Sequence, residues 1–131
     1  MGDLDTLAAG KYVSLTTFKR DGTPVATPVW VAGDGAHLYV VTPVETGKTK
    51  RLRHTSRALV APCDVRGNVT GAEVEGSARL LDSEGTAHAA RLIDEKYGLT
   101  SKVLGWLDVV VRNRGKARAR VGIEITLTDD V

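Results

Sequence analysis

The chain has 131 residues, of which 18 are Lys or Arg and 16 are Asp or Glu, so its net charge is only +2; that length supports one domain with a modest core. A balance this close to neutral, with aromatics at 5%, argues against a nucleic-acid binder, which needs a broad basic face and rings for base stacking. The lone Cys63 excludes an internal disulfide and a Cys-based zinc cluster, His37, His54 and His88 lack ligand spacing, and no apolar run reaches the ~18 residues of a membrane span.

The pattern along the chain is mostly β. Residues 11 to 18 (KYVSLTTF) are rich in β-branched and aromatic types and lead into the turn KRDG at 19 to 22. A second strand is expected over 23 to 31 (TPVATPVWV). Pro24 and Pro28 each remove a ladder donor, which places this strand at an edge, a rim or a bulge. In it Val25, Val29 and Val31 share the face expected to be core, and Ala26, Pro28 and Trp30 share the other.

After the turn signal GDG come a third strand over 36 to 42, a basic stretch expected to form a short helix, and a fourth strand over 57 to 64. A Gly/Asn-rich loop precedes a fifth strand over 72 to 82, where Val74, Gly76, Ala78 and Leu80 share one face. Residues 83 to 97 read as a helix capped by Ser83, with Ala89, Leu92, Ile93 and Tyr97 on one side. A further helical or irregular piece is expected over about 100 to 112, carrying Leu104, Trp106, Leu107 and Val110.

The last strand, 117 to 128, alternates with period two. Ala117, Ala119, Val121, Ile123, Ile125 and Leu127 form a buried face, and Arg118, Arg120, Gly122, Glu124, Thr126 and Thr128 a wet one. Six short strands with a helical insertion before the last predict a mainly β fold, a small antiparallel barrel filled by its own side chains. A ligand would then lie on the rim or between two subunits. The N-terminus has no signal-type apolar region, and the compartment expected is reduced and cytoplasmic.

The segment TGKTKRLRH, 46 to 54, carries the strongest chemical signal. Lys48, Lys50, Arg51 and Arg53 lie within it, Arg57 follows, and no carboxylate occurs between Glu45 and Asp64. Gly47-Lys48-Thr49 imitates the end of a phosphate-binding P-loop, but the first glycine of that motif is replaced by Thr42, so the loop cannot wrap a phosphate. Solvated helix faces ordinarily mix signs, because opposite charges at i, i+4 stabilise and like charges repel. A run of like charge is costly unless an anion binds it. A second acid-free run, Arg112 to Arg120, is available for further negative charge, although Arg118 and Arg120 also suit the wet face of a strand.

Three stretches, LTTFKRDGTPVATPVWV, LYVVTPVETGKTKRLRHTSRALVAPCDVRG and VEGSARLL, resemble the pyridoxamine-phosphate-oxidase-like split β-barrel family, and within it the actinobacterial branch of flavin- and deazaflavin-dependent oxidoreductases. The likeness covers residues 9 to 128. It implies a six-stranded antiparallel split β-barrel of the FMN-binding-protein type and a homodimer with cofactor sites at the subunit interface. It also implies coenzyme F420, with FMN as the second choice, passing a hydride to a small unsaturated or quinone-like acceptor.

By the family pattern Pro28, Val29 and Trp30 would run beside the ring. Lys48, Lys50 and Arg51 would meet the phosphate and the start of the oligoglutamate tail, and Thr42, Pro62 and Cys63 would line the same groove. The residues offer no catalytic acid–base pair and no metal site. None is required, since in hydride transfer the cofactor carries the reactivity. The competing expectation is a non-catalytic carrier of a flavin, haem or tetrapyrrole on the same fold.

Overall fold

In a computed structural model, residues 3–43, 47–97 and 120–128 are described. The element order is α1 (Asp3–Ala9), β1 (Tyr12–Phe18), β2 (Pro24–Val29), β3 (Ala32–Gly33), β4 (Leu38–Pro43), α2 (Gly47–Leu52), β5 (Arg57–Cys63), β6 (Val74–Leu80), α3 (Ser83–Tyr97) and β7 (Arg120–Leu127). The helical piece expected over 100 to 112 lies outside the described residues, as does the second basic run apart from Arg120.

The strands form one sheet in the order β2-β1-β5-β6-β7-β4-β3, and the pairings among these described strands are all antiparallel. Its two end strands, β2 and β3, are successive pieces of one stretch of chain separated only by Trp30 and Val31. The sheet must therefore curl until its edges meet, which is the barrel architecture expected, with a seventh, two-residue strand (β3) just past the expected end of the second strand at residue 31. Pro24 and Pro28 lie on the end strand β2, where a missing N–H costs no ladder bond on the open side.

The break has a physical cause in α3. Val31 donates its N–H to the Tyr97 hydroxyl at 3.1 Å, and its carbonyl accepts from Lys96 Nζ at 2.6 Å. Side chains of the helix thus take both backbone groups that a ladder would otherwise use. The Lys96 ammonium also donates to the carbonyls of Ala8 (2.7 Å) and Gly10 (2.5 Å), so one side chain ties the end of α1 to the barrel seam.

The core follows the period-two pattern. Val13, Leu15, Val31, Leu38, Val40, Val60, Ile123 and Ile125 are fully buried, and Leu4 and Leu7 of α1 join them. That helix went unanticipated; it is short, and its two leucines read as a helix only once the barrel gives them a surface to cover. In β2 the expected alternation appears, with Val25, Thr27 and Val29 half-buried and Pro24, Ala26 and Pro28 exposed. At the β1–β2 turn Gly22 takes φ 90°, and Lys19 and Gly22 close the loop by backbone bonds of 2.9 Å.

Two sequence readings are corrected at α3. Its cap is Asp82, whose Oδ1 accepts the N–H of Gly85 at 2.8 Å, one residue earlier than Ser83. Gly122 is buried and not on a wet face, because α3 lies over it. A Cβ there would come 3.1 Å from Ala89 Cβ and 3.0 Å from Leu81 Cδ1, and its N–H donates to Thr86 Oγ1 at 2.8 Å. The outer side of β7 and β4 is a helix-packing face.

Candidate functional site

The basic cluster is built on α2 and the turn that follows it. Thr49 and Leu52 point inward and are buried, which leaves Lys50 exposed and Lys48 and Arg51 half-buried. Arg51 donates through Nε to the hydroxyl of Thr17 at 2.5 Å, and Thr17, near the end of β1, is fully buried. Gly47 makes room for this guanidinium, since a Cβ at 47 would stand 2.5 Å from Arg51 Nη1 and 3.2 Å from Cζ. The glycine of the false P-loop therefore has a different local reason to be there.

Burial, and then the charge of Arg51, hold the Lys48 ammonium below the usual lysine pKa. Among the described residues the ion pairs are Arg57–Glu75, Arg79–Glu124 and His88–Asp34, and none involves Lys48, Lys50, Arg51 or Arg53. Arg57 leaves the cluster. It pairs with Glu75 at 3.1 Å across the β5–β6 ladder and lies 4.5 Å from the centre of the Phe18 ring, so the absence of an acidic neighbour in sequence does not hold for it in space. His54 accepts from Arg20 Nε at 3.2 Å.

The remaining expected site residues lie further along the sheet. Strand β1 pairs Thr17 with Val25, Ser14 with Pro28, and Val13 with both Val29 and Pro62, while Tyr12 pairs with Cys63. Pro28, Val29, Pro62 and Cys63 thus occupy neighbouring rows at the start of β1, and Arg51 is anchored near its end. From Val13 to Thr17 is four residues, roughly 13 Å at strand rise. The arrangement suits an elongated anion, with one end at the cations and the other at the prolines, better than a compact one.

Thr42 is buried at 4% exposure near the end of β4, where it pairs with Val121. Cys63 is buried too, and burial followed by the charge of Asp64 pushes its thiol pKa up, against a nucleophilic role.

Trp30, in the gap between β2 and β3, stacks on Tyr97 with ring centroids 4.2 Å apart and planes 10° from parallel. Tyr97 is held by donating to the Lys11 carbonyl at 2.7 Å. Beside Trp30 is a cavity of about 170 Å³ lined by Val29, Trp30, Val41, Ala90, Ile93, Asp94 and Arg120. Sequence reasoning missed Lys96, Asp94 and Arg120 as parts of this region. Lys96 reads from sequence as helix surface, and only the fold brings it to the seam.

A second polar cluster lies on the outer side of the sheet. The Tyr39 hydroxyl is 3.1 Å from both Asp34 Oδ2 and Glu124 Oε2, and Arg79 donates to Glu124 Oε1 at 2.8 Å. Burial and the two carboxylates push the Tyr39 pKa far above the ordinary phenol value. His88 makes an edge contact with the Tyr39 ring at 5.1 Å, and His37 another at 6.3 Å. The fold gathers two histidines that the sequence separates, yet no group of residues suited to a metal ion occurs among the described residues. These contacts hold α3 and the β3–β4 turn to β4 and β7.

No helix among the described residues is long and apolar enough to cross a membrane. Among curated proteins nothing matches the sequence. Solved structures do resemble it: an F420 reductase, with TM-score 0.63 and 22% identity over 98% of this chain and 95% of that one, and a conserved hypothetical protein from Mycobacterium tuberculosis, with TM-score 0.68 and 21% identity over 98% and 81%. A heme storage protein from Vibrio cholerae matches with TM-score 0.63 and 10% identity over 89% and 81%. At these identities the likeness establishes the split-barrel fold. The model of the pyridoxamine 5'-phosphate oxidase family matches residues 4–128, nearly the whole sequence, and the chain belongs to that family.

Proposed function

We propose that the protein is an F420-dependent oxidoreductase that reduces a small unsaturated or quinone-like acceptor. The observation that carries the reading is the cation set on α2. Lys48 is half-buried beside Arg51, with its pKa held down by burial and by that neighbour, and neither takes part in the ion pairs found among the described residues. Such a set is electrostatically unfavourable when empty and relieved by a polyanion. FMN brings one phosphate, whereas F420 adds the carboxylates of a glutamate tail, and Lys50 and Arg53 stand exposed beside the half-buried pair to meet them.

The donor chemistry fits a group of this kind. Lys48, Lys50 and Arg51 would hold the phosphate and the start of the tail, with Pro28, Val29 and Trp30, about 13 Å along β1 by strand rise, beside the ring. When bound, the reduced deazaflavin supplies a hydride. The chain binds and orients it, keeps water from the ring with Val29 and Trp30, and leaves proton delivery to solvent, so we assign no acid–base residue. Family membership supports a flavin-type cofactor, and one similar structure is named an F420 reductase.

A homodimer is part of this reading. Val65 and Val69 are 62% and 54% exposed on the β5–β6 hairpin, beside the exposed Pro28, and a second copy would cover this apolar side. Light scattering should give twice the 14.0 kDa of one chain, and Val65→Glu with Val69→Glu should return the mass of one.

The likeness to a heme storage protein favours one other reading, a carrier that binds in the same groove without turnover. Reduced F420 offered anaerobically with a panel of quinones and enones separates the two. An enzyme reoxidises the coenzyme at a rate that saturates with at least one acceptor. Tight binding without turnover across the panel would identify a carrier.

A further inference from the structure

The cavity beside Trp30 is walled by α3 on one side and by the barrel seam and β4 on the other. Ile93 is buried, and Val29, Val41 and Ala90 are half-buried, so the described walls are largely apolar. Tyr97 covers one face of the Trp30 ring and does not line the cavity, so the cavity meets the other face or the edge of the indole. Among the described lining residues the charged ones are two exposed side chains, Arg120 at the start of β7 and Asp94 on α3.

Volume and chemistry together restrict the occupant. An apolar cavity of about 150 Å³ takes up benzene, and drug-sized ligands need about 300 Å³ or more. At about 170 Å³ its walls surround a single six-membered ring with one small substituent, and a fused second ring would extend beyond them toward solvent. A guanidinium only donates hydrogen bonds, so the substituent it favours is an acceptor oxygen.

We infer that the cavity is a binding site for one planar six-membered ring bearing a carbonyl-type oxygen, with the ring against Trp30 and Ile93 and the oxygen toward Arg120. Its role rests on the function proposed above: Val29 and Trp30 are shared with the expected cofactor groove, and the ring bound there is the hydride acceptor, a benzoquinone or cyclohexenone. The acceptor ring gains a hydride, two electrons and one proton, from the reduced coenzyme, and a second proton comes from water. The product is a hydroquinone or a saturated ketone, and the coenzyme leaves oxidised.

Binding is testable without coenzyme, using benzamide as an unreactive ring with a carbonyl oxygen and 2-naphthamide as its fused-ring counterpart, both followed by calorimetry or protein-observed NMR. Benzamide should bind saturably, and 2-naphthamide no more tightly, since its second ring lies beyond the cavity walls and gains no apolar burial. Ala90→Leu, which fills the cavity from α3, should weaken benzamide by about tenfold or more, since the added methylenes take the space of the ring. It should leave F420 affinity unchanged, because Ala90 lies outside the expected coenzyme groove. Arg120→Met should remove the preference for benzamide over toluene.

No saturable binding of benzamide, binding of the naphthyl compound at least about tenfold tighter than that of benzamide, or wild-type affinity in Ala90→Leu would each overturn the inference. The size series uses the wild-type protein and stands even where a variant fails to fold. Loss of F420 binding with benzamide binding intact would instead count against the proposed function.

Discussion

Replacing Gly47 with alanine separates the folding role of the basic helix from its binding role. The new Cβ would lie 2.5 Å from Arg51 Nη1, 3.2 Å from Cζ and 3.3 Å from Nη2, so the end of the guanidinium must move. That plane is rigid, and its Nε is tied to the buried Thr17 hydroxyl at 2.5 Å, so Arg51 cannot swing aside without giving up this bond. Losing a hydrogen bond to a charged group costs about 1.5–3 kcal/mol, whereas alanine in place of a helical glycine returns at most about 1 kcal/mol. Stability should therefore change little, by about 0.5–2 kcal/mol downward on the same figures.

Binding should suffer more clearly. A displaced Arg51 no longer meets the anion, and one lost charge-assisted contact corresponds to roughly 10- to 150-fold in affinity. Fluorescence titration with F420 and thermal unfolding read the two quantities on the same samples. A cycle completes the argument: Gly47→Ala should have no further effect on affinity once Arg51 is already alanine. Wild-type affinity in Gly47→Ala, or the same added loss in the Arg51→Ala background, would refute the claim that Gly47 exists to seat Arg51 for an anion.

Gly122→Ala places a methyl group against Ala89, Leu81 and the Thr86 Cα, so α3 must lift and thermal unfolding should show a loss of about 1–3 kcal/mol. Lys96→Met leaves the carbonyls of Ala8, Gly10 and Val31 without their common donor, which should cost about 1.5–3 kcal/mol and alter tryptophan fluorescence as the seam at Trp30 loosens. At low pH the outer cluster contributes. The bond from Arg79 holds Glu124 below its ordinary value of 4.5, and Asp34 is also lowered: burial pushes it up, but the N–H groups of His37 and Ala36 and the Tyr39 hydroxyl outweigh that. Carboxylates with depressed folded-state pKa values stabilise fully above their unfolded values and lose that contribution as pH falls through the folded ones. Glu124→Gln should therefore flatten the acid side of a stability-against-pH curve below pH 4.5 and leave the neutral side unsloped.

Much of the barrel is legible in the sequence because period-two alternation is local. Val121 through Leu127, Val74 through Leu80 and the edge prolines announce their strands without tertiary help. The features missed depend on partners far away in sequence. The break at Trp30 and Val31 exists because Lys96 and Tyr97, 65 and 66 residues from Val31, claim its backbone groups. Gly122 looks wet from strand alternation alone and is covered only because α3 folds back over it.

The same division holds at the site. The cations of α2 stand out because no carboxylate interrupts them, but Glu75, which removes Arg57 from the set, arrives across a strand pairing that no spacing rule reveals. Arg120 and Asp94 meet at one cavity only because β7 and α3 are packed side by side. The Tyr39 cluster joins β4, β7 and α3 in the same way.

The central claim, that the cations of α2 hold the anionic part of F420, is tested most directly by titrating the protein with F420 and with FMN at low and high salt, beside Lys50→Ala/Arg51→Ala. The account predicts saturable F420 binding tighter than that of FMN, weakened by salt, and weaker in the double variant by about 2–5 kcal/mol, somewhat less than two charge-assisted contacts of about 1.5–3 kcal/mol each because Lys50 is exposed to solvent. Equal F420 affinity in the wild type and the double variant, or FMN bound more tightly than F420, would contradict it.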